Sequence, residues 1–448
     1  MSPVVQGQLV LWCEHAWLPD GPAPAVALEL SADRIVGLTP GAPRRGTLLP
    51  GLTVPGLVNR HSHAFHRALR GRPARAAGSF WSWREVMYRV ASALDPDAYR
   101  RLATAVYAEM ALAGYTAVTE FHYLHHASGG RPYADPIVMD RALVEAAATA
   151  GLRLILLDTC YLTGGLGRAP EGVQSRFADA DVDAWAERAS AVASLDDGDR
   201  VRVGGAIHSV RAVPRAALST VAAWTRTGPG GERPLHVHLS EQPDENAACL
   251  AAHGRTPTAL LDDAGALGPA TTAVHATHLT DDDIEVLARA GARACFCPTT
   301  ERDLGDGIGP AGALAAAGVP LCLGSDSHAV VDPCEEMRAL EMHERLRHGV
   351  RERFTPAELV AAGADGATIT VGAPADLVTL DTASVRTAGA RPDGVLLAAA
   401  AADVREVRVG GRVVVRDGVH QLVERPAADL AAEITAVNTR AEAAGVGA

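Results

Sequence analysis

Short apolar runs recur along the chain at residues 57–60, 117–121, 153–157, 201–207, 235–239, 272–275, 292–297 and 320–324. Stretches with helical periodicity lie between many of them, for example 97–113, 136–150, 181–193, 280–290 and 333–348. Strands that alternate with helices build parallel βα units, and about eight such units predict a closed (β/α)8 barrel of the TIM type rather than an open sheet. The barrel is expected to span 53–370. Both ends of the chain carry shorter β-like runs broken by Gly and Pro, at 4–5, 8–12, 25–30 and 34–38 and again at 376–380 and 404–415, with a turn at Gly410-Gly411. One small β-sandwich built from 1–52 and 371–425 accounts for them, followed by a C-terminal helix over 426–448. Gly- and Pro-rich segments 164–172 and 227–234 read as loops.

Polar clusters close several of the apolar runs. His61-Ser62-His63 follows 57–60, and on an extended chain alternation turns both imidazoles to one side. His236-Val237-His238-Leu239-Ser240-Glu241, His275-Ala276-Thr277-His278 and Gly324-Ser325-Asp326-Ser327-His328 end three later runs. In such a barrel the active site lies at the C-terminal ends of the strands, where all four clusters fall. Imidazole nitrogens and a carboxylate suit one divalent ion with a position left for water, so His61, His63, His238 and Asp326 form the candidate metal set. Glu241, three residues past His238, is placed to shuttle a proton without ligating the ion; its bland alternative is a carboxylate favoured by a helix N-terminus. His275 could hydrogen-bond water beside Asp326.

Other histidines are less informative. His236 shares a side of its strand with His238 and is taken as structural because it lies further from the strand end. His278 is assigned to the following loop. His328 reads equally as a support behind the site or as an exposed residue, and His122, His125 and His126 are irregularly spaced.

Composition narrows the chemistry. The 448 residues, 48% hydrophobic, can bury one large core and a satellite. No lysine occurs, and all 41 basic residues are arginine. That absence excludes Schiff-base chemistry and a carbamylated lysine bridging two metals. A formal charge of -12 argues against a nucleic-acid or anionic-membrane binder. Seven scattered cysteines read as reduced, buried thiols of a cytoplasmic protein. No signal peptide is expected at the N-terminus, and the alanine-rich stretch near 396–402 is too short to cross a bilayer.

Five strings carry a more specific likeness: 55–71 (PGLVNRHSHAFHRALRG), 79–88 (SFWSWREVMY), 236–242 (HVHLSEQ), 297–308 (CPTTERDLGDGI) and 324–328 (GSDSH). They resemble the formimidoylglutamate deiminases, histidine-degrading enzymes of the amidohydrolase superfamily. The metal strings indicate only the superfamily, whereas the aromatic string and 297–308 point to this family. The likeness runs from about residue 53 to 381, and the terminal ADLVTLD and VGGRVV strings look like the small sandwich of such enzymes. It implies a metal held by His61, His63, His238 and Asp326, acid and base roles for Glu241 and His275, and substrate contacts from Arg84, Tyr123, His208 and Arg211. Arginine's planar fork suits a ligand with two carboxylates, although Arg84 and Arg211 could also be ordinary ion-pair partners. Glutamine is usual after Ala64-Phe65 in those enzymes. Here it is His66, whose neutral ring still offers one donor and one acceptor to a substrate.

The expected reaction is hydrolysis of a linear amidine, releasing ammonia from N-formimino-L-glutamate. Its nearest rival is deamination of a purine, pterin or related ring, for which 4% aromatic residues supply few walls. A non-catalytic scaffold that kept the barrel is the alternative of another class. A His3Asp set suits several ions, with zinc the default, and the family resemblance is compatible with a homodimer.

Overall fold

A computed structural model describes residues 9–71, 80–228 and 231–445. The expected run at 4–5, the first residue of the run at 8–12, Ser79 of the aromatic string and the last three residues of the expected terminal helix lie outside them.

Four strands open the described chain: β1 (Leu9–Leu18), β2 (Gly21–Ser31), β3 (Arg34–Thr39) and β4 (Thr47–Pro55). The next eight are β5 (Leu57–Ser62), β6 (Tyr115–His122), β7 (Arg153–Cys160), β8 (Val201–Ile207), β9 (Leu235–Leu239), β10 (Thr271–His275), β11 (Arg293–Phe296) and β12 (Leu321–Leu323). They pair in parallel in sequential order from β5 to β12, the topology expected of the barrel. The ring is drawn shut where Ser62 bridges Asp326: Asp326 N–H donates to the His61 carbonyl at 2.9 Å, and His63 N–H donates to the Asp326 carbonyl at 3.2 Å. Asn59 reinforces the seam, its Oδ1 accepting from Ser325 N–H at 2.9 Å and its Nδ2 donating to Ser325 Oγ at 2.6 Å.

Local chemistry sets each unit. The helix Pro96–Ala113 begins at Asp95, whose carboxylate accepts from Ala98 N–H at 2.8 Å, with Pro96 in the first turn. The helix Asp281–Ala290 begins on a capping box between Thr280 and Asp283. These helices cover the barrel with a large apolar core that includes Leu102, Val106, Leu143, Trp185 and Leu287.

Strands β13 (Leu377–Leu380), β14 (Val404–Val409), β15 (Arg412–Arg416) and β16 (Val419–His420) complete a second sheet, ordered β16-β15-β14-β13-β4-β1-β2-β3. Both chain ends therefore build it, as the end patterns predict, and a helix follows over Pro426–Gly445. Its own core joins Leu11, Val26, Leu28, Ile35 and Leu49 to Ile369 and Leu377. The pattern did not signal β4, which contains Pro50-Gly51. The β1–β4 register shifts at that point, so proline and glycine occupy an irregularity rather than a turn. Gly51 has φ 104°, and a β-carbon there would stand 2.1 Å from the Leu380 carbonyl oxygen.

Gly324 is equally constrained, because a β-carbon would stand 2.7 Å from His61 Cβ and 2.8 Å from His61 N. Gly324→Ala is expected to destabilise the protein by about 1–3 kcal/mol, the usual cost of overpacking. The urea midpoint, compared with wild type at equal m-value, measures it.

Candidate metal centre and its cavity

His61, Ser62 and His63 stand at the end of β5, His238 near the end of β9, and Asp326 just beyond β12. The structure brings one donor atom from each of His61, His63, His238 and Asp326 within 4.8 Å of the others. His61 Nε2 lies 3.1 Å from His238 Nε2 and 3.2 Å from Asp326 Oδ1, while His63 Nε2 lies 3.3 Å from that same oxygen. Two outer contacts choose the tautomers. His63 Nδ1–H donates to the Phe121 carbonyl and His238 Nδ1–H to the His208 carbonyl, each at 2.9 Å. Their Nε2 lone pairs consequently point inward, as metal-binding imidazoles do.

Burial is the largest influence on the ring charges. It pushes His61 down to about 3 and His238 well below the usual histidine range, so both are neutral and ligand-competent. Burial alone would raise Asp326, but His61 and His63 hold it well below the usual carboxylate range. Neutral rings packed lone pair to lone pair around an anionic oxygen repel one another unless something positive sits between them. The donor set therefore fits a divalent cation.

Backbone strain concentrates around this cluster. Ser240, His275, Ala276, Asp326 and His328 have φ between 41° and 67°, five of the ten non-glycine residues with positive φ among the described residues. Each costs about 1–3 kcal/mol and persists only where surrounding contacts impose it.

A cavity opens over the cluster, with about 730 Å³ of empty space when its solvent-open mouth is included. His63, His238 and Asp326 form part of its floor, with Glu241 and His275 beside them, while His66, Arg84, Tyr123, His208 and Arg211 also line it. His61 is fully buried beneath. His66 Nε2 meets Tyr123 Oη at 2.8 Å, so the departure from glutamine is absorbed by a tyrosine hydroxyl. Arg84 lies over the Tyr88 ring, 5.5 Å from its centroid, and Arg211 Nε stands 3.7 Å from Glu245 Oε1.

Glu241 and His275 are buried neighbours, with Oε1 and Nε2 3.9 Å apart. Burial raises the Glu241 carboxyl, partly offset by His275. Burial would lower His275, but the carboxylates of Glu241 and Glu301 outweigh it and raise the ring to about 10.

The remaining histidines separate clearly. His236 is fully buried deeper in the barrel, without a hydrogen-bond partner for either nitrogen, and does not line the cavity. His278 donates from Nε2 to the Asp306 carbonyl at 2.9 Å. His328 is fully buried, 3.0 Å from Ser62 Oγ, and the exposed alternative for it is thereby removed. His122, His125 and Asp140 also cluster. Both nitrogens of His125 are already engaged, however, with Arg188 at 2.8 Å and the Thr159 carbonyl at 3.0 Å.

Sequence reasoning missed Glu245, Glu301 and Glu120. Glu120 is fully buried and accepts from Ser62 Oγ at 2.7 Å and from Ala64 N–H at 2.6 Å, gripping the residues on either side of His63. Glu301 was present in the CPTTERDLGDGI string without a role, and Glu245 lies four residues past Glu241 in the first turn of the helix Pro243–His253. No sequence pattern marks Glu120, whose partners lie on a neighbouring strand.

Residues 52–415 match the model of the amidohydrolase family. The chain belongs to the amidohydrolase family. This amidohydrolase is 39% identical to a formimidoylglutamate deiminase of Pseudomonas aeruginosa, over 93% of this chain and 97% of that protein. An 8-oxoguanine deaminase of the same organism is 30% identical over 82% of this chain and 83% of its own length. Among solved structures, an amidohydrolase from Brucella melitensis superposes with a TM-score of 0.87 at 33% identity, covering 96% of this chain and all of that one. No helix among the described residues is long and apolar enough to cross a membrane.

Metal analysis of purified variants checks the ligand set of this amidohydrolase. His61→Ala and His238→Ala are expected to lose the bound ion, whereas His236→Asn retains it at wild-type stoichiometry.

Proposed function

We propose that this amidohydrolase is a formimidoylglutamate deiminase. It hydrolyses N-formimino-L-glutamate to N-formyl-L-glutamate and ammonia, using one divalent ion with zinc as the default. The observation that carries the reading is the division of one cavity: two guanidinium groups, Arg84 and Arg211, share its wall, and the metal-ligand cluster with Glu241 and His275 forms its floor. A substrate with carboxylates at one end and an amidine at the other fits that division. The 39% identity over nearly the full length of a formimidoylglutamate deiminase supports the same substrate.

When bound among His61, His63, His238 and Asp326, the ion would supply Lewis acidity that lowers the pKa of water from 15.7 towards about 7. Where Glu241 carries the proton of the Glu241–His275 pair, its charge no longer holds a proton on His275, and His275 and Asp326, which flank the floor of the cavity, accept the proton that water gives up. Oxygen bonds to the amidine carbon and the C=N π electrons move onto the terminal nitrogen. Glu241 gives that nitrogen its proton, and the proton taken from water is passed to it as well; the hydroxyl returns its own proton to Glu241 as the carbonyl forms, the C–N bond breaks, and ammonia leaves with the electron pair. Burial favours the protonated form of Glu241, as a carboxyl that donates a proton requires.

Arg84 and Arg211 hold the carboxylates at a distance from the reacting carbon, which converts binding into orientation. His66, Tyr123 and His208 complete the wall with neutral donors and acceptors.

Loss of a hydrogen bond to a charged group costs about 1.5–3 kcal/mol, so Arg211→Met is expected to raise KM more than about tenfold. Steady-state kinetics with N-formimino-L-glutamate measures this, and an unchanged KM removes Arg211 from the site. Glu241→Ala is expected to keep its metal while ammonia release falls by about 100-fold or more. Undiminished turnover would assign the proton transfer to another residue. Ammonia release from N-formimino-L-glutamate but not from guanine or adenosine is the direct test of substrate.

A further inference from the structure

The segment Cys297-Pro298-Thr299-Thr300-Glu301 has no role in the chemistry above, yet it lies directly behind it. β11 ends at Phe296 and the short helix Pro298–Leu304 follows at once. Glu301 is 2% exposed. Its Oε1 accepts from Cys297 N–H at 2.8 Å, which fixes the carboxylate, and the same oxygen stands 3.4 Å from His275 Nδ1. The other nitrogen of that ring, Nε2, faces Glu241 Oε1 at 3.9 Å on the cavity side. A carboxylate oxygen can only accept, so it keeps the hydrogen on Nδ1 and leaves Nε2 as the nitrogen that exchanges a proton with the cavity. The contact is long, as catalytic hydrogen bonds often are before substrate binds.

The turn itself is anchored. Thr299 donates to Glu336 through N–H at 3.1 Å and through Oγ1 at 2.5 Å. Thr300 Oγ1 donates to the Ser325 carbonyl at 3.1 Å and accepts from Ser327 N–H at 3.2 Å, holding both neighbours of Asp326. These bonds make the turn a rigid seat for its carboxylate. His275 itself has φ 67°, a backbone conformation that needs outside support.

We propose that Glu301 is the positioning residue of His275: its carboxylate fixes the tautomer and orientation of the ring that handles the proton of water. The proposal rests on the reading of His275 given above. It requires no ion at Glu301, whose Oε1 already serves Cys297 N–H.

The test uses full-length, metal-loaded protein and the variants Glu301→Leu, Glu301→Gln and Glu301→Asp. The Nδ1 proton of His275 is expected as a solvent-protected downfield imidazole resonance, assigned by its loss in His275→Asn. It should persist in Glu301→Gln, whose carbonyl still accepts, and vanish in Glu301→Leu. With N-formimino-L-glutamate, Glu301→Leu should lose about 30-fold in kcat, with KM within about threefold and metal content unchanged, while Glu301→Gln stays within about threefold of wild type. If Glu301→Leu fails to fold, Glu301→Asp, too short to reach the ring, is read in its place. A resonance that survives in the leucine variant, an unchanged kcat, or a kcat loss accompanied by metal loss overturns the proposal. A wild-type protein that releases no ammonia from this substrate defeats the functional reading instead, and the resonance still decides the role of Glu301.

Discussion

The backbone bridge between Ser62 and Asp326 is the constraint on which the site depends. Parallel pairing carries β5 to β12 around an open ring, and this bridge, reinforced by Asn59, brings the first strand beside the segment after the last. It leaves no room for a side chain at Gly324 and places His61, His63 and Asp326 around one point. Had the seam remained open, the H-x-H pair would still face inward but would lack its anionic partner. The strained backbone of Asp326 is the local consequence, held by hydrogen bonds from the His61 strand, from Thr300 and from Asn59.

Around that seam, burial and charge act in opposite directions. Removing the His61 and His238 imidazoles from water keeps them neutral and leaves lone pairs available to an ion. Removing carboxyls from water raises Glu241 but does not neutralise Asp326, because His61 and His63 stand against it and hold it down. Two acids lining one cavity are thereby given different protonation preferences, the condition for one to carry a proton while the other remains an anion. Glu120 and Glu301 stand behind this layer, each accepting a backbone N–H next to a site residue or its support. The site is as much a property of these hidden acceptors as of the groups that face the cavity.

Much of this was legible in the sequence because barrel strands are short apolar runs with chemistry at their ends. The run at 57–60 and the H-x-H after it needed no tertiary information, nor did the alternation that implies βα units. β4 was not legible: Pro50-Gly51 reads as a turn until β1 and β13 are present to accommodate the irregularity. His236 and His238 share a strand face, so only depth in the folded barrel separates them. The pairing of Glu301 with His275 spans two successive βα units, and local patterning contains nothing about contacts across units. His328 looked as exposed as it looked useful because burial at a strand end depends on what packs over it.

The second sheet carries a consequence for synthesis. β4 pairs on one side with β1, made just before it, and on the other with β13, which emerges only after every barrel strand. During translation that edge offers unpaired amides and carbonyls to any extended neighbour, the exposure that promotes misassembly. The last-made segment both covers the vulnerable edge and ties the first-made strands to the finished ring. A ribosome that stalls before residue 377 would thus release a chain whose β4 edge stays open to its own kind.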